Sequence, residues 1–227
     1  MKRLIVAFLT IVVCTVAWAG QYGRSRYEIS VSGICGYNTT WRSYGGGSID
    51  GFMPVCRYFE ADAGIMELCS GTFSCCATAR PKLQFSVGEL FLDGTVFYRS
   101  LYDYSISESV AAISLGYRMD YVSAQAGVFS RRMTSTEHIT EPVSFLYRLS
   151  LSVRPASSNW NIEGGGANYS LYEYEREWQP SFFLNGYYGL SPHLRVNAEI
   201  NLKPAGMMHL LASFYGVRCS AGLSYIF

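Results

Sequence analysis

The cysteines beyond residue 19 are Cys35, Cys56, Cys69, Cys75, Cys76 and Cys219. Cys69, Cys75 and Cys76 fall in a polar stretch, 69–80, that reads as a loop. In an oxidising compartment a bridge from Cys69 to Cys75 or Cys76 would staple it. The trio lacks the paired, two-residue-spaced cysteines of a zinc knuckle, so a metal site is not expected there. Cys35 and Cys219 share the apolar register of the first and last strand-like segments, and they read as small apolar side chains. They would approach each other if the first strand closed on the last.

Histidine chemistry is sparse, with 3 histidines in the chain. His138 reads as a loop residue, His193 lies beside a turn, and His209 is four residues from Ser213. A lipase of barrel architecture needs a Ser/His pair, and a barrel protease needs clustered Asp and His. No histidine here sits in a recognisable nucleophile motif. The expectation is therefore a non-enzymatic protein with no catalytic residue, metal or cofactor.

Charged side chains offer a different chemistry, that of pairing or of ion selection. Glu28, Glu60, Asp62, Arg118, Arg148, Arg154, Arg195, Glu199, Lys203 and Arg218 stand on the polar faces of alternating segments or at their ends. If those faces enclose a lumen, residues of both signs would either pair and plug it or line a narrow aqueous path.

The elements that must position these residues show in the alternation. Val143, Phe145, Tyr147, Leu149, Leu151 and Val153 interleave with Ser144, Leu146, Arg148, Ser150, Ser152 and Arg154, a strand with one apolar and one largely polar face. Residues 193–203 repeat the design with Leu194, Val196, Ala198, Ile200 and Leu202. The C-terminus does so again from Tyr215 to Phe227. Weaker copies occur at Tyr27–Val31, Phe59–Ile65, Leu83–Val87, Ala111–Tyr117 and Val122–Val128.

Links at 119–120, 155–159 and 190–192 are tight, whereas 38–48, 69–80, 131–142 and 169–177 are longer and polar. This asymmetry is that of a barrel with short periplasmic turns and larger external loops. Strands near 26–37, 48–56, 58–68, 81–88, 92–100, 108–118, 121–130, 143–154, 159–169, 178–188, 193–203 and 214–227 predict an all-β, antiparallel up-and-down transmembrane barrel. The count is about twelve, with ten to fourteen compatible, and both termini on the periplasmic side. Tyrosines near the strand ends, such as Tyr58, Tyr121, Tyr188 and Tyr225, would form aromatic girdles.

The N-terminus supplies an address. Met1, Lys2 and Arg3 precede an apolar run from Leu4 to Val16 and then Ala17-Trp18-Ala19, which reads as a secretory signal peptide cleaved near Ala19. Residues 1–19 are then the signal and 20–227 a single barrel domain. The formal net charge of +1 gives no concentrated basic surface, so nucleic acid is not an expected partner. Beyond residue 19 no apolar run is long enough for a membrane helix.

The signal peptide, the alternating strands and the ending Ala221-Gly222-Leu223-Ser224-Tyr225-Ile226-Phe227 resemble the small outer-membrane β-barrel proteins of Gram-negative bacteria. Segments 57–64 and 189–194 are similar to strand-turn-strand joints of the porin-family barrels common in Bacteroidetes. The resemblance implies a place in the outer membrane, contact with its lipids, and recognition by the barrel-assembly machinery through the strand ending at Phe227. The leading functional expectation is a structural, adhesive or accessory protein acting through external loops. A narrow channel for small solutes or ions stands second, and a soluble barrel binding an apolar ligand third.

Overall fold

In the computed structural model the described residues are 26–38, 42–69, 71–102, 105–134, 138–140, 143–153, 158–170, 172–174, 180–203 and 216–227. The expected signal peptide, Arg154 and His209 lie outside them. The strands are β1 (Glu28–Asn38), β2 (Arg42–Cys56), β3 (Phe59–Leu68), β4 (Thr72–Gln84), β5 (Glu89–Leu101), β6 (Ile106–Arg118), β7 (Val122–Thr134), β8 (His138–Thr140), β9 (Ser144–Val153), β10 (Trp160–Ala167), β11 (Tyr169–Ser170), β12 (Glu173–Tyr174), β13 (Ser181–Gly189), β14 (Leu194–Lys203) and β15 (Gly216–Ile226).

Each long strand pairs antiparallel with the next, and β1 pairs with β15, so the sheet closes into a 12-strand barrel. The short β8 extends one end of β7, and β11 with β12 forms a separate two-stranded hairpin. Closure matters because it leaves no unpaired edge and satisfies the backbone without water, the condition for a sheet to cross hydrocarbon.

Period-two alternation then assigns every side chain to one of two surfaces. Along β9, Phe145, Leu149, Leu151 and Val153 are exposed, while Leu146 and Ser150 are buried. Along β6, Ile113 and Leu115 face out, while Glu108, Val110 and Ser114 are buried. The outer wall is therefore apolar, and carboxylates such as Glu60, Asp93 and Glu108 are inside. That arrangement suits lipid outside and water or ion pairs within. It corrects the soluble-barrel alternative, which required the apolar face inward.

Exposed aromatics gather at both ends of the wall. Tyr58, Tyr121, Tyr188, Tyr225 and Phe227 ring the end where β1 begins and β15 finishes, called here the near end, and Tyr37, Tyr98, Tyr102, Phe145 and Phe182 ring the far end. Such rings sit well at a membrane interface, where an amphipathic aromatic meets headgroups and water.

Two expected loops are strands. Segment 38–48 is mostly β2, and 69–80 is a turn at 69–71 followed by β4. The run Gly45-Gly46-Gly47 reads as a loop but serves close packing: a Cβ on Gly46 would strike the backbone and side chain of Leu68 on the neighbouring strand. In β4 the small residues Thr72, Ser74, Cys76 and Thr78 look loop-like because they face the interior rather than lipid. Gly71, at φ 73°, allows the tight turn that precedes them. The intervals in sequence between β7 and β9, β10 and β13, and β14 and β15 are longer than those between the earlier strands.

Candidate functional site: the lumen and its hairpin

The link after β10 turns into the barrel. Asn168 is wholly buried; its Nδ2 donates to the Phe145 carbonyl at 2.8 Å and its Oδ1 accepts from the Tyr147 amide at 2.9 Å. This amide clasps β9 and redirects the chain inward, where β11 and β12 lie across the far half of the lumen. Among the described residues the hairpin makes no ladder with the barrel sheet, and its attachments run through side chains on one or both sides.

Those attachments reach around the ring. The Tyr169 hydroxyl donates to Gln125 Oε1 at 2.5 Å, and the Tyr172 hydroxyl donates to Asp50 Oδ1. Gly64 makes room for the second bond, since a Cβ there would meet both the Tyr172 hydroxyl and the Asp50 carboxylate. The Tyr174 ring packs 5.7 Å from Phe97 and 5.4 Å from Phe129, and its carbonyl accepts from Arg131. Ile34, Met66, Leu68, Val110 and Leu146 complete this apolar plug.

Glu173 is the ionic part of the attachment. Its Oε2 lies 2.9 Å from Lys203 Nζ and 3.4 Å from Arg218 Nη1. Burial alone would raise its carboxyl, but the two cations outweigh that and bring it down to about 2. Beside the plug, Glu108 is almost fully buried between Arg99 and Arg131, with Arg131 Nε at 3.0 Å.

Toward the near end the lumen is lined by charges and encloses space. On one wall Arg80 Nε donates to Asp93 Oδ1 at 2.5 Å, while its Nη2 lies 3.6 Å from Asp62 and its Nη1 3.7 Å from Glu60. Lys82 contacts Glu60 and stands 3.6 Å from Glu89, which also holds Arg118 at 3.1 Å. Gln125 Nε2 joins the hairpin to this network through Asp93 at 2.8 Å. The opposite wall carries Arg195–Glu28 toward the near end, Arg148–Glu163 midway, and Arg218–Glu199 next to the hairpin, each at 3.1 Å. Two cavities with shared lining residues, about 810 Å³ and about 420 Å³, occupy the space between the walls.

The structure places Glu28, Glu60, Asp62, Arg118, Arg148, Arg195, Glu199, Lys203 and Arg218 on the inner surface, each within an ion pair. Sequence reasoning missed most of their partners. Arg80 and Lys82 lay in or beside a segment read as loop, and Glu173 in a link read as external.

The loop disulfide is a correction. Cys69 is in the turn, whereas Cys75 and Cys76 are successive residues of β4, so their side chains take opposite faces, and all described cysteines are free. Cys35 and Cys219 are direct partners across the closing β1–β15 seam, also as thiols. Of the histidines, His138 is in β8, and the His193 ring stacks on Tyr225 with Nδ1 2.9 Å from the Ile226 carbonyl. Among the described residues no cluster of His, Cys, Asp or Glu is arranged to hold a metal ion.

No family model and no curated protein matches the chain by sequence. Solved structures do match by shape. The translocator domain of the autotransporter NalP from Neisseria meningitidis aligns at TM-score 0.57 and 11% identity, covering 100% of this chain and 97% of that one. The KdgM porin in complex with disordered oligogalacturonate aligns at 0.54 and 10%, covering 87% and 99%. The Salmonella typhi outer membrane phospholipase dimer with bound calcium aligns at 0.51 and 10%, covering 86% and 90%. Identities this low speak for the fold and leave activity open, since one barrel hosts transport, translocation and catalysis. The chain is a closed antiparallel β-barrel with the fold of outer-membrane porins and translocator domains, and that fold supports an outer-membrane location.

Proposed function

We propose that this chain is a non-enzymatic, narrow channel for small polar solutes, shut in its resting state by its own hairpin. The observation that carries the reading is the chamber of about 810 Å³ that ends under residues 169–174. A barrel with a purely mechanical role has no need of such space. Lining it with compensated charges costs desolvation that apolar packing would avoid. A hairpin that shares no ladder with the barrel sheet among the described residues is an obstruction that can leave, whereas a packed core is not. With fewer strands than the 16–18 of open porins, the bore fits small solutes only. The near end then faces the periplasm, residues 1–19 are removed near Ala19, and Phe227, docked to Tyr27 at 2.9 Å, closes the strand that the assembly machinery reads.

A structural, adhesive or accessory protein acting through external loops is the second reading, favoured by the completeness of the aromatic plug. Planar-bilayer recording separates the two. The unaltered protein should conduct rarely, and the double variant Tyr172→Ala, Tyr174→Ala should give frequent, discrete openings. If that variant still shows the band shift of a folded barrel on boiling and stays silent, the channel reading falls and the structural one stands.

A further inference from the structure

We infer that the lumen carries a binding site for a neutral polyhydroxylated solute of mono- to disaccharide size, on the wall built by β10, β13, β14, β15 and β1. The inference rests on the channel reading and names what such a channel selects. Its basis is a chemical difference between the two walls. The wall of β3–β6 presents a ladder of charges, whereas the facing wall carries amides and hydroxyls between its ion pairs.

Register shows how the neutral groups come together. Along the inner face of β13, Asn185 stands between Phe183 and Tyr187; Asn161 faces Tyr187 on one side, and Asn197 faces it on the other. Phe183 is paired in the same way with Asn201. All of these line the cavity of about 420 Å³, within the roughly 300–1,000 Å³ of ordinary small-molecule pockets. Asn201 is 3% exposed, and its side-chain oxygen has no hydrogen-bond partner among the described residues. It is an acceptor that calls for a donor.

Charge complementarity decides the ligand class. The described cations on and beside this wall already face carboxylates: Arg148 of β9 faces Glu163, Arg195 faces Glu28, Lys203 faces Glu173, and Arg218 faces Glu199 and Glu173. Asp50 accepts from Ser48 at 3.0 Å and from Tyr172. An anion or cation entering here must break a formed pair to gain one of its own. An apolar molecule would desolvate Asn161 and Asn185 without replacing their bonds, whereas Asn197 already donates to Ser224 at 2.8 Å and accepts from Ser32 at 3.4 Å. A polyol suits the wall, because hydroxyls both donate to and accept from amides, while C–H groups pack against the parts of the Phe183 and Tyr187 rings that the Arg148 and Arg195 guanidiniums, at 4.0 Å and 4.7 Å, leave uncovered. Tyr169 and Ser170 of the hairpin line the same cavity, so an occupant touches the element that blocks the path.

The test is calorimetric titration of the full mature chain, folded in detergent, with glucose, sucrose, glucuronate and cyclohexanol. Glucose or sucrose should bind saturably, glucuronate at least about fivefold more weakly, and cyclohexanol not measurably. Asn185→Leu and, separately, Asn161→Leu should each weaken sugar binding roughly tenfold, the equivalent of about 1.4 kcal/mol, with the heat-induced band shift retained. Arg118→Ala, on the opposite wall at the near mouth, should leave binding unchanged. Glucuronate or cyclohexanol binding better than glucose, or both Asn variants binding like the parent, overturns the inference. Sugar binding to a barrel that never conducts would cost only the channel reading. Conduction without saturable binding would cost only this one.

Discussion

The far half of the lumen is filled by a hairpin, aromatic rings and deeply enclosed ion clusters, the Glu108 triad among them, while the near half is filled by ladders of ion pairs and by space. Both halves bury charge, but at different depths. Glu108 beside the plug is 2% exposed with Arg99 and Arg131 on it; Arg118 at the near mouth is 46% exposed beside Glu89. Where water is excluded, a charge survives only with its partners in place. Where water reaches, the partner is nearly dispensable. The same residue types therefore serve as structure at one end and as a solvated lining at the other.

Breaking the triad gives the largest expected effect. Glu108→Ala leaves two guanidinium groups without their carboxylate in the enclosed half and should destabilise the folded barrel by about 3–5 kcal/mol. Urea unfolding followed by tryptophan fluorescence in detergent would register it. A loss below about 1 kcal/mol would mean that the far half is wetter than its burial implies.

Next comes the hairpin's ionic attachment. Glu173→Gln replaces charge-assisted bonds to Lys203 and Arg218, worth roughly 1.5–3 kcal/mol. Open probability in bilayers should rise about 10- to 100-fold. Acid should mimic the variant. A carboxyl held near 2 in the folded state stabilises the closed form in full above the ordinary glutamate value of roughly 4.3. That contribution is lost as pH falls through about 2, so openings should be rare from pH 7 to 5 and should rise only below about pH 4. Opening near pH 6 would implicate a different group.

A smaller effect is expected at Tyr172→Phe, which removes one donor to Asp50 while Ser48 still donates to that carboxylate. The plug keeps its ring, so openings should increase only a few-fold, a shift of about 1 kcal/mol. An effect as large as that of Glu173→Gln would make the tyrosine, and not the ion pair, the principal tie.

The barrel was legible in the sequence because lipid demands strict alternation, and β9, β14 and β15 display it without interruption. The far half was not legible. Strand residues facing a packed interior need not alternate in polarity, so Gly45–Gly47 and Thr72–Thr78 look like loop, and a link rich in tyrosine and glutamate looks external until its partners are seen. Inward charges such as Arg148 and Glu199 were visible from their register. Their pairing was not, since it depends on which strands become neighbours. The hairpin's tie to Asp50 spans 122 residues, beyond the reach of any local pattern.

The smallest effect should come at the near mouth, and it tests the comparison most directly. Arg118 forms the same kind of guanidinium–carboxylate contact as Arg99 and Arg131, at 3.1 Å from Glu89, with its head also 5.1 Å above the Phe91 ring. Depth is the principal difference. After Arg118→Ala, Glu89 still has Lys82 at 3.6 Å and water at the mouth. Stability should fall by no more than about 1 kcal/mol, and the loss should shrink further in high salt, which screens exposed pairs. Equal losses for Arg118→Ala and Glu108→Ala, both insensitive to salt, would mean that enclosure does not distinguish the two halves; a wide gap between them would tie the far half's rigidity to the exclusion of water by the hairpin.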